Sequence, residues 1–302
     1  MRDYAELGNL ALFYARLDDA DIYSLWRDRV PASALKRFQK NLDKARTKDS
    51  MRAFTKLTTV VDGKVRIVSD PPLIVRYDEL VSEDEASAMR EAMHEWFRGY
   101  RESLQPDRRN LVESYELIDF ARKVVGVGSV GTRCWIAYMR GRDDGDPLFL
   151  QIKEAEASVL EPYVAPSEYK NRGRRVVEGQ RLTQAASDIF LGWDRASDFT
   201  GSERDFYVRQ LWDGKLSAEI DLMEPEVLEI YGEICASTLA RAHARSGDRI
   251  AIASYLGSGP AFDRAVGSFA AAYADQNDRD YAEVVSAIEA GELEVDRSEM
   301  MA

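Results

Sequence analysis

Apolar positions along this chain recur at two different spacings, and the places where the spacing changes mark its elements. Tyr4 to Leu17 carries Leu7, Leu10, Leu12, Phe13 and Leu17 at helical intervals, so a helix is expected almost from the first residue, as in the middle of a domain. Pro31 to Leu57 keeps that period with Leu35, Phe38, Leu42, Ala45, Phe54 and Leu57. Lys36, Arg37, Lys40, Lys44 and Lys48 lie between them as a solvated basic face that Asp43 and Asp49 partly balance. Thr58 to Val61 and Val65 to Val68 then flank Asp62-Gly63-Lys64, a hairpin signal, and Leu73 to Tyr77 adds an extended segment after Ser69-Asp70-Pro71-Pro72. Ser82 with Glu85 forms a capping box opening a helix to about Leu104, and Pro106 starts another toward Ile118. The helical period returns from Pro225 to Ala244, is broken by Ser258-Gly259-Pro260, and resumes over Ala261 to Tyr273 and Asp278 to Ala290 before a polar, frayed tail from Gly291.

Between these helical regions lies the stretch Ala121 to Lys153. It holds a G-x-G-x-x-G run at Gly126, Gly128 and Gly131, then two apolar runs around an Asp-Gly turn, the second ending on Lys153. Dinucleotide-binding folds share the glycine spacing, but there the third glycine opens a helix. Here Thr132 to Met139 is rich in β-branched and aromatic residues and reads as a strand. A Walker A loop also fits poorly, because Thr132 and Arg133 stand where Lys-Ser or Lys-Thr belongs. A plain glycine turn followed by a solvated edge lysine is the bland alternative.

A strand, glycine loop, strand, turn and strand with lysine is the nucleotide clamp of protein-kinase-like folds. Glycines let backbone N–H groups approach phosphate oxygens with no Cβ in the way. On this reading Gly126, Gly128, Ser129 and Gly131 cover the phosphates of ATP and Lys153 meets them as a point charge. A helix glutamate orients that lysine. Glu178, in the helical run Arg174 to Asp188, is the first candidate and Glu161 the second, and spacing does not choose between them. Ile189 to Trp193 and Phe206 to Trp212 read as two more strands, completing five strands and one helix. Gln210 and the segment Leu211 to Lys215 then form the hinge whose backbone meets the adenine edge.

Composition narrows the partners. With 302 residues, 31% of them charged and 45% hydrophobic, the chain is long enough for two lobes around ordinary cores. A formal net charge of -12 argues against nucleic-acid binding, since phosphate is repelled at long range. Cys134 and Cys235 show no metal-ligand spacing and are expected to be reduced and mostly buried. His94, beside Trp96 and Phe97, reads as a structural histidine, and His243 as a helix-end residue favoured by the dipole. No leader and no membrane-spanning run is apparent, so a cytoplasmic protein without membrane contact is expected.

Phosphoryl transfer needs more than a clamp: an aspartate near the acceptor hydroxyl, and Asp and Asn side chains to hold metal. No Asp here is followed five residues later by Asn. His243 to Asp248 imitates a catalytic loop without a metal ligand after it, and Asp198-Phe199-Thr200-Gly201 imitates a metal-binding D-F-G but precedes the hinge. Phosphate clamping is therefore expected without metal chemistry.

The runs Ala121 to Arg133, Asp146 to Ala155, Val177 to Arg181, Gln184 to Asp188, Asp205 to Leu211 and Leu239 to Asp248 together resemble domain of unknown function family 2252, over nearly the whole chain. The resemblance implies further N-terminal segments, G-D-x-H-x-x-N-F and D-x-N-D-F-D-E, similar to the catalytic and metal-binding loops of aminoglycoside-phosphotransferase-like kinases. Because they would precede the clamp, it implies a circularly permuted, protein-kinase-like α+β architecture, a small antiparallel sheet plus helix packed with a mainly helical lobe. The segments are 1–120, mainly helical with a hairpin, 121–215, the nucleotide-binding lobe, and 216–302, helical. The chain contains neither loop, so the resemblance makes it a truncated bacterial member, inactive alone, with magnesium bound only where those segments are present. The acceptor is unspecified, and self-association through the surface exposed by truncation is expected. A non-catalytic regulatory binding protein is the alternative, and a nicotinamide-dependent oxidoreductase a more distant one that requires a helix straight after Gly131.

Overall fold

The computed structural model describes residues 1–46, 50–126, 131–197, 202–211, 218 and 220–294. Among them are twelve α-helices and two antiparallel sheets, an α+β composition. The chain falls into two compact units, one drawn from residues 1–7 and 247–302 and the other from 8–246.

In the first unit, α1 (Arg2–Glu6) is the short N-terminal helix, and α11 and α12 are introduced below. The expected helix from Tyr4 to Leu17 is in fact two, because Leu7 is extended and α2 (Asn9–Tyr14) starts afresh in the second unit. There α3 (Asp19–Trp26), opened by an Asp18–Asp21 capping box, and α4 (Ala32–Arg46) precede α5 (Ser50–Leu57). Strands β1 (Thr58–Val61) and β2 (Lys64–Ile67) follow as a two-stranded hairpin. Its two-residue turn places Asp62 at φ 50° and Gly63 at φ 73°, the positive pair that matches the twist of the strands.

Next come β3 (Ile74–Arg76), α6 (Tyr77–Leu80), α7 (Glu83–Glu102) and α8 (Pro106–Glu113). The Ser82–Glu85 capping box and the Pro106 start are as the sequence implies. The last of these helices stops short of Ile118, because β4 (Glu116–Lys123) begins first. Then follow β5 (Cys134–Arg140), β6 (Pro147–Ala155), α9 (Arg172–Thr183), β7 (Gly192–Ser197), β8 (Glu203–Gln210) and α10 (Pro225–Ser246). The large sheet is antiparallel throughout, in the order β3-β4-β5-β6-β8-β7.

Strand alternation divides this sheet into two apolar faces. Ala137, Met139, Leu148, Leu150, Ile152, Phe206 and Val208 point to one, where Trp96, Phe97 and Tyr100 of α7 cover them. Close approach is secured at Gly192, where a Cβ would meet the Tyr100 ring at 2.7 Å, and by the Tyr100 hydroxyl donating to the Phe190 carbonyl at 2.6 Å. Ile136, Tyr138 and Phe149 point to the other face, under Ala53 and Leu57 of α5 and Ile67 of the hairpin. The hairpin is pinned there by Asp119, whose buried carboxylate accepts from Arg66 Nε at 2.8 Å and from the Ile67 N–H at 2.9 Å.

In the unit of residues 1–7 and 247–302, α11 (Arg249–Leu256) is capped by Asp248, which accepts from the Ile250 and Ala251 N–H groups. Arg249 donates to the Leu7 carbonyl at 3.0 Å, and the Arg2 guanidinium to the Gly257 and Gly259 carbonyls. The expected last two helices are one, α12 (Ala261–Glu289). Among the described residues no helix is long and apolar enough to cross a membrane.

Candidate functional site

The glycine run joins β4 to β5. Gly126 follows the end of β4 and Gly131 adopts φ +84°, a conformation that side chains disfavour, while a Cβ at either would meet nothing within 4 Å. Gly128 and Ser129 lie outside the described residues. Both ends of the loop are held. Val124 donates to the Leu73 carbonyl at 2.8 Å, and Glu154 donates its N–H to the Arg133 carbonyl at 2.9 Å. The Glu154 carboxylate accepts in return from the Arg133 N–H at 2.9 Å and from Arg204 at 2.7 Å. Burial alone would raise the pKa of this carboxyl, but the Arg133 amide and the two guanidinium groups hold it below the ordinary glutamate value. A strand directly after the loop also removes the dinucleotide-binding alternative, which needs a helix there.

Lys153 is half-buried on β6, on the face that carries Phe149. It stands opposite Cys134 of β5 and Tyr207 of β8, and Tyr207 stands opposite Trp193 of β7. Arg122 pairs with Trp135, which sets Lys123 beside Cys134 and extends the same row onto β4. One residue row in from the loop, Gln151 faces Arg209. The buried Gln151 amide donates to the Cys134 sulfur at 3.5 Å and its oxygen accepts from Arg209 Nε at 3.3 Å. Burial pushes the Cys134 thiol up, against the charges of Lys153, Lys123 and Arg209 and the Gln151 hydrogen bond.

Helix α9 covers the far end of this row. Asn171 caps it by accepting from the Arg174 N–H at 2.8 Å, and Asp205 on β8 accepts from both Asn171 and the Arg172 N–H. Gly173 permits the contact, since a Cβ there would sit 2.1 Å from the Phe206 carbonyl oxygen. Arg174 and Arg181 lie over the Trp193 ring at 5.3 Å and 5.7 Å, and Glu178 pairs with both, at 3.9 Å and 3.5 Å. Glu178 is thereby placed on the helix that shares the Lys153 face, with its own helix's arginines as partners. Glu161 lies in the turn after β6.

Gln210 ends β8 and Leu211 follows it, buried. The Gln210 N–H donates to Asp188 at 2.5 Å and the Leu211 N–H to the Phe149 carbonyl at 2.9 Å. Both amides are thus committed within the protein, and residues 212–215 of the expected hinge lie outside the described residues.

The remaining chemical candidates have local roles. His94 is held below the usual histidine range by burial and by Arg90. Asp248 is a helix cap, and Asp198 to Gly201 lies outside the described residues. Cys134 is buried as expected, but Cys235 is exposed: it sits on the outer side of α10, and its helical period was too weak to place it. Among the described residues no group of three or more His, Cys, Asp or Glu is placed to hold a metal ion. Sequence reading missed Gln151, Glu154, Lys123 and Arg209. Gln151 had a signal, being two residues before Lys153 and so on its face; the others depend on strand register.

A family model described as "Uncharacterized protein conserved in bacteria (DUF2252)" matches residues 1–287. No curated protein and no solved structure matches.

Proposed function

The chain belongs to this bacterial family, and we propose that it is a kinase-like nucleotide-binding protein holding ATP between the β4–β5 glycine loop and the Lys153 ammonium. One juxtaposition carries the reading: a glycine loop, anchored at both ends, joins two strands of the sheet, and the next strand carries Lys153 on the face that α9 covers. That is the order of parts in a kinase nucleotide clamp, with Glu178 on the helix as the group that orients the lysine. Gly126, Gly128, Ser129 and Gly131 present amides to the phosphates. Gln210 and Leu211 flank the base, and contacts there come from groups other than their two committed amides. Helices that precede the clamp in sequence are what a circularly permuted kinase-like architecture requires.

A binding role without catalysis is the second reading, favoured by the absence of any Asp followed five residues later by Asn. Calorimetry with ATP on the wild type and Lys153→Ala tests the clamp. Wild type is expected to bind and Lys153→Ala to lose binding with an unchanged circular dichroism spectrum, since the ammonium acts by charge. Equal affinity in the two proteins contradicts the assignment. Turnover with magnesium in a phosphate-release assay contradicts the non-catalytic reading.

A further inference from the structure

We propose that the space between α4 and α10 is a binding site for a small uncharged aromatic molecule carrying one hydrogen-bonding group, of the size of a phenol. The inference is independent of the nucleotide reading. Among the described residues the walls of this space come from α3, α4, α10 and the chain next to them, and none from the sheet.

The site begins in the sequence of α4. This helix turns Ala34, Phe38 and Asn41 to the space, and α10 meets them with Val227, Tyr231 and Ile234, each set at helical spacing. Phe38 and Val227 are buried and form a small core with Ile230. Beside that core Ser33 and Ala34 are too short to fill the gap, and a cavity of about 220 Å³ remains. An apolar cavity of roughly 150 Å³ is enough to take up benzene, so one ring with a substituent fits here. Two tethers hold the helices at this spacing. Arg29, just before α4, forms a bidentate pair with Glu233 of α10 at 2.5 Å and 2.8 Å. Arg37 of α4 donates to the Leu222 carbonyl at 3.1 Å, in the short turn Ile220–Leu222 that leads into α10.

The walls select the chemistry of the occupant. Phe38, Ile234 and the Met223 thioether are apolar, and a thioether packs favourably against an aromatic ring. Leu222 borders the cavity with 61% of its surface exposed, apolar area that a seated ring would cover. The half-buried Asn41 carboxamide supplies both a donor and an acceptor for a hydroxyl or amide on that ring. The Tyr231 hydroxyl is already hydrogen-bonded to Cys235. Arg37 and Glu224, the charged residues of the lining, are opposite in sign and both exposed, so the cavity favours neither an anion nor a cation. An ion would also lose its hydration among the apolar walls.

The test titrates phenol, benzene, benzoate and benzylamine into isotope-labelled wild type, Ala34→Leu, Ser33→Leu and Asn41→Leu by NMR, with circular dichroism and melting temperature as controls. Phenol is expected to bind the wild type in the millimolar range and to shift the Asn41 side-chain amide signal, which Asn41→Leu identifies. Ala34→Leu and Ser33→Leu place methylenes in the cavity and are expected to weaken phenol and benzene alike, each by at least about tenfold. Asn41→Leu should weaken phenol by about fivefold and spare benzene, the loss of one neutral hydrogen bond. Benzoate and benzylamine should both bind more weakly than phenol. If Ala34→Leu fails to fold, Ser33→Leu, at an exposed position, decides. Unchanged phenol affinity in the filled variants places the ligand elsewhere and overturns the site. Tighter binding of benzoate or benzylamine than of phenol overturns the uncharged class, and no saturable binding of phenol or benzene by the wild type overturns the inference as a whole. Each of these outcomes leaves the ATP calorimetry on Lys153→Ala to be judged by itself.

Discussion

Glu154 shows how one side chain prepares the loop. Its carboxylate is 4% exposed and joins the strand that carries Lys153 to Arg133, where the loop ends, and to Arg204 of β8. Its folded pKa lies below its unfolded value, so its contribution to stability is fully present above the unfolded pKa and is lost as pH falls through the folded one. Glu154→Gln is expected to lower stability at pH 7 by about 2 kcal/mol, the cost of a hydrogen bond to a charged group. In urea denaturation at a series of pH values, the difference should shrink below about pH 4.5; a difference that does not vary with pH contradicts the ionised bridge. Asp194 has the opposite sign. Burial raises its pKa, with the Arg195 N–H opposing, so its charged form is disfavoured in the fold. Asp194→Asn is expected to raise the melting temperature at pH 7, with the gain vanishing as pH falls and Asp194 protonates.

At the scale of elements, two close contacts set the geometry around Lys153. Gly173→Ala forces α9 away from the Phe206 carbonyl, an overpacking cost of about 2 kcal/mol. Arg66→Met removes the partner of a buried carboxylate and is expected to cost about 3 kcal/mol, more than an exposed pair would, as read by chemical denaturation. Local signals in the sequence were sufficient for elements whose cause is local: the Asp62-Gly63 turn placed the small hairpin, and Ser82 with Glu85 placed the start of α7. They failed where pairing decides. The run after Pro106 has a helical pattern, yet from Glu116 the chain is taken into the sheet by its pairing with β5. The strand expected at Ile189 to Trp193 lies at Gly192–Ser197, because its register with β8 sends Phe190 and Leu191 into the interior instead. The candidate site divides in the same way. Lys153, the glycine run and the α9 glutamate were legible from their order along the chain, whereas the neighbourhood of Lys123, Gln151 and Arg209 exists only through register across four strands.

For the whole molecule, charge and layout pull in different directions. The net charge of -12 favours solubility at neutral pH, and it shrinks as carboxylates protonate, so light scattering should rise toward a sequence pI of about 4.9. Against that background the Lys153 face concentrates cations within the 8–246 unit, on a sheet closed above by α7 on one side and by α5 and α9 on the other. The measurement that bears most directly on the proposed function is a crystal structure with a non-hydrolysable ATP analogue. The account predicts phosphate oxygens within hydrogen-bond distance of Lys153 Nζ and beneath the loop from Gly126 to Gly131. An analogue bound elsewhere, with Lys153 turned to solvent and away from that loop, would contradict it.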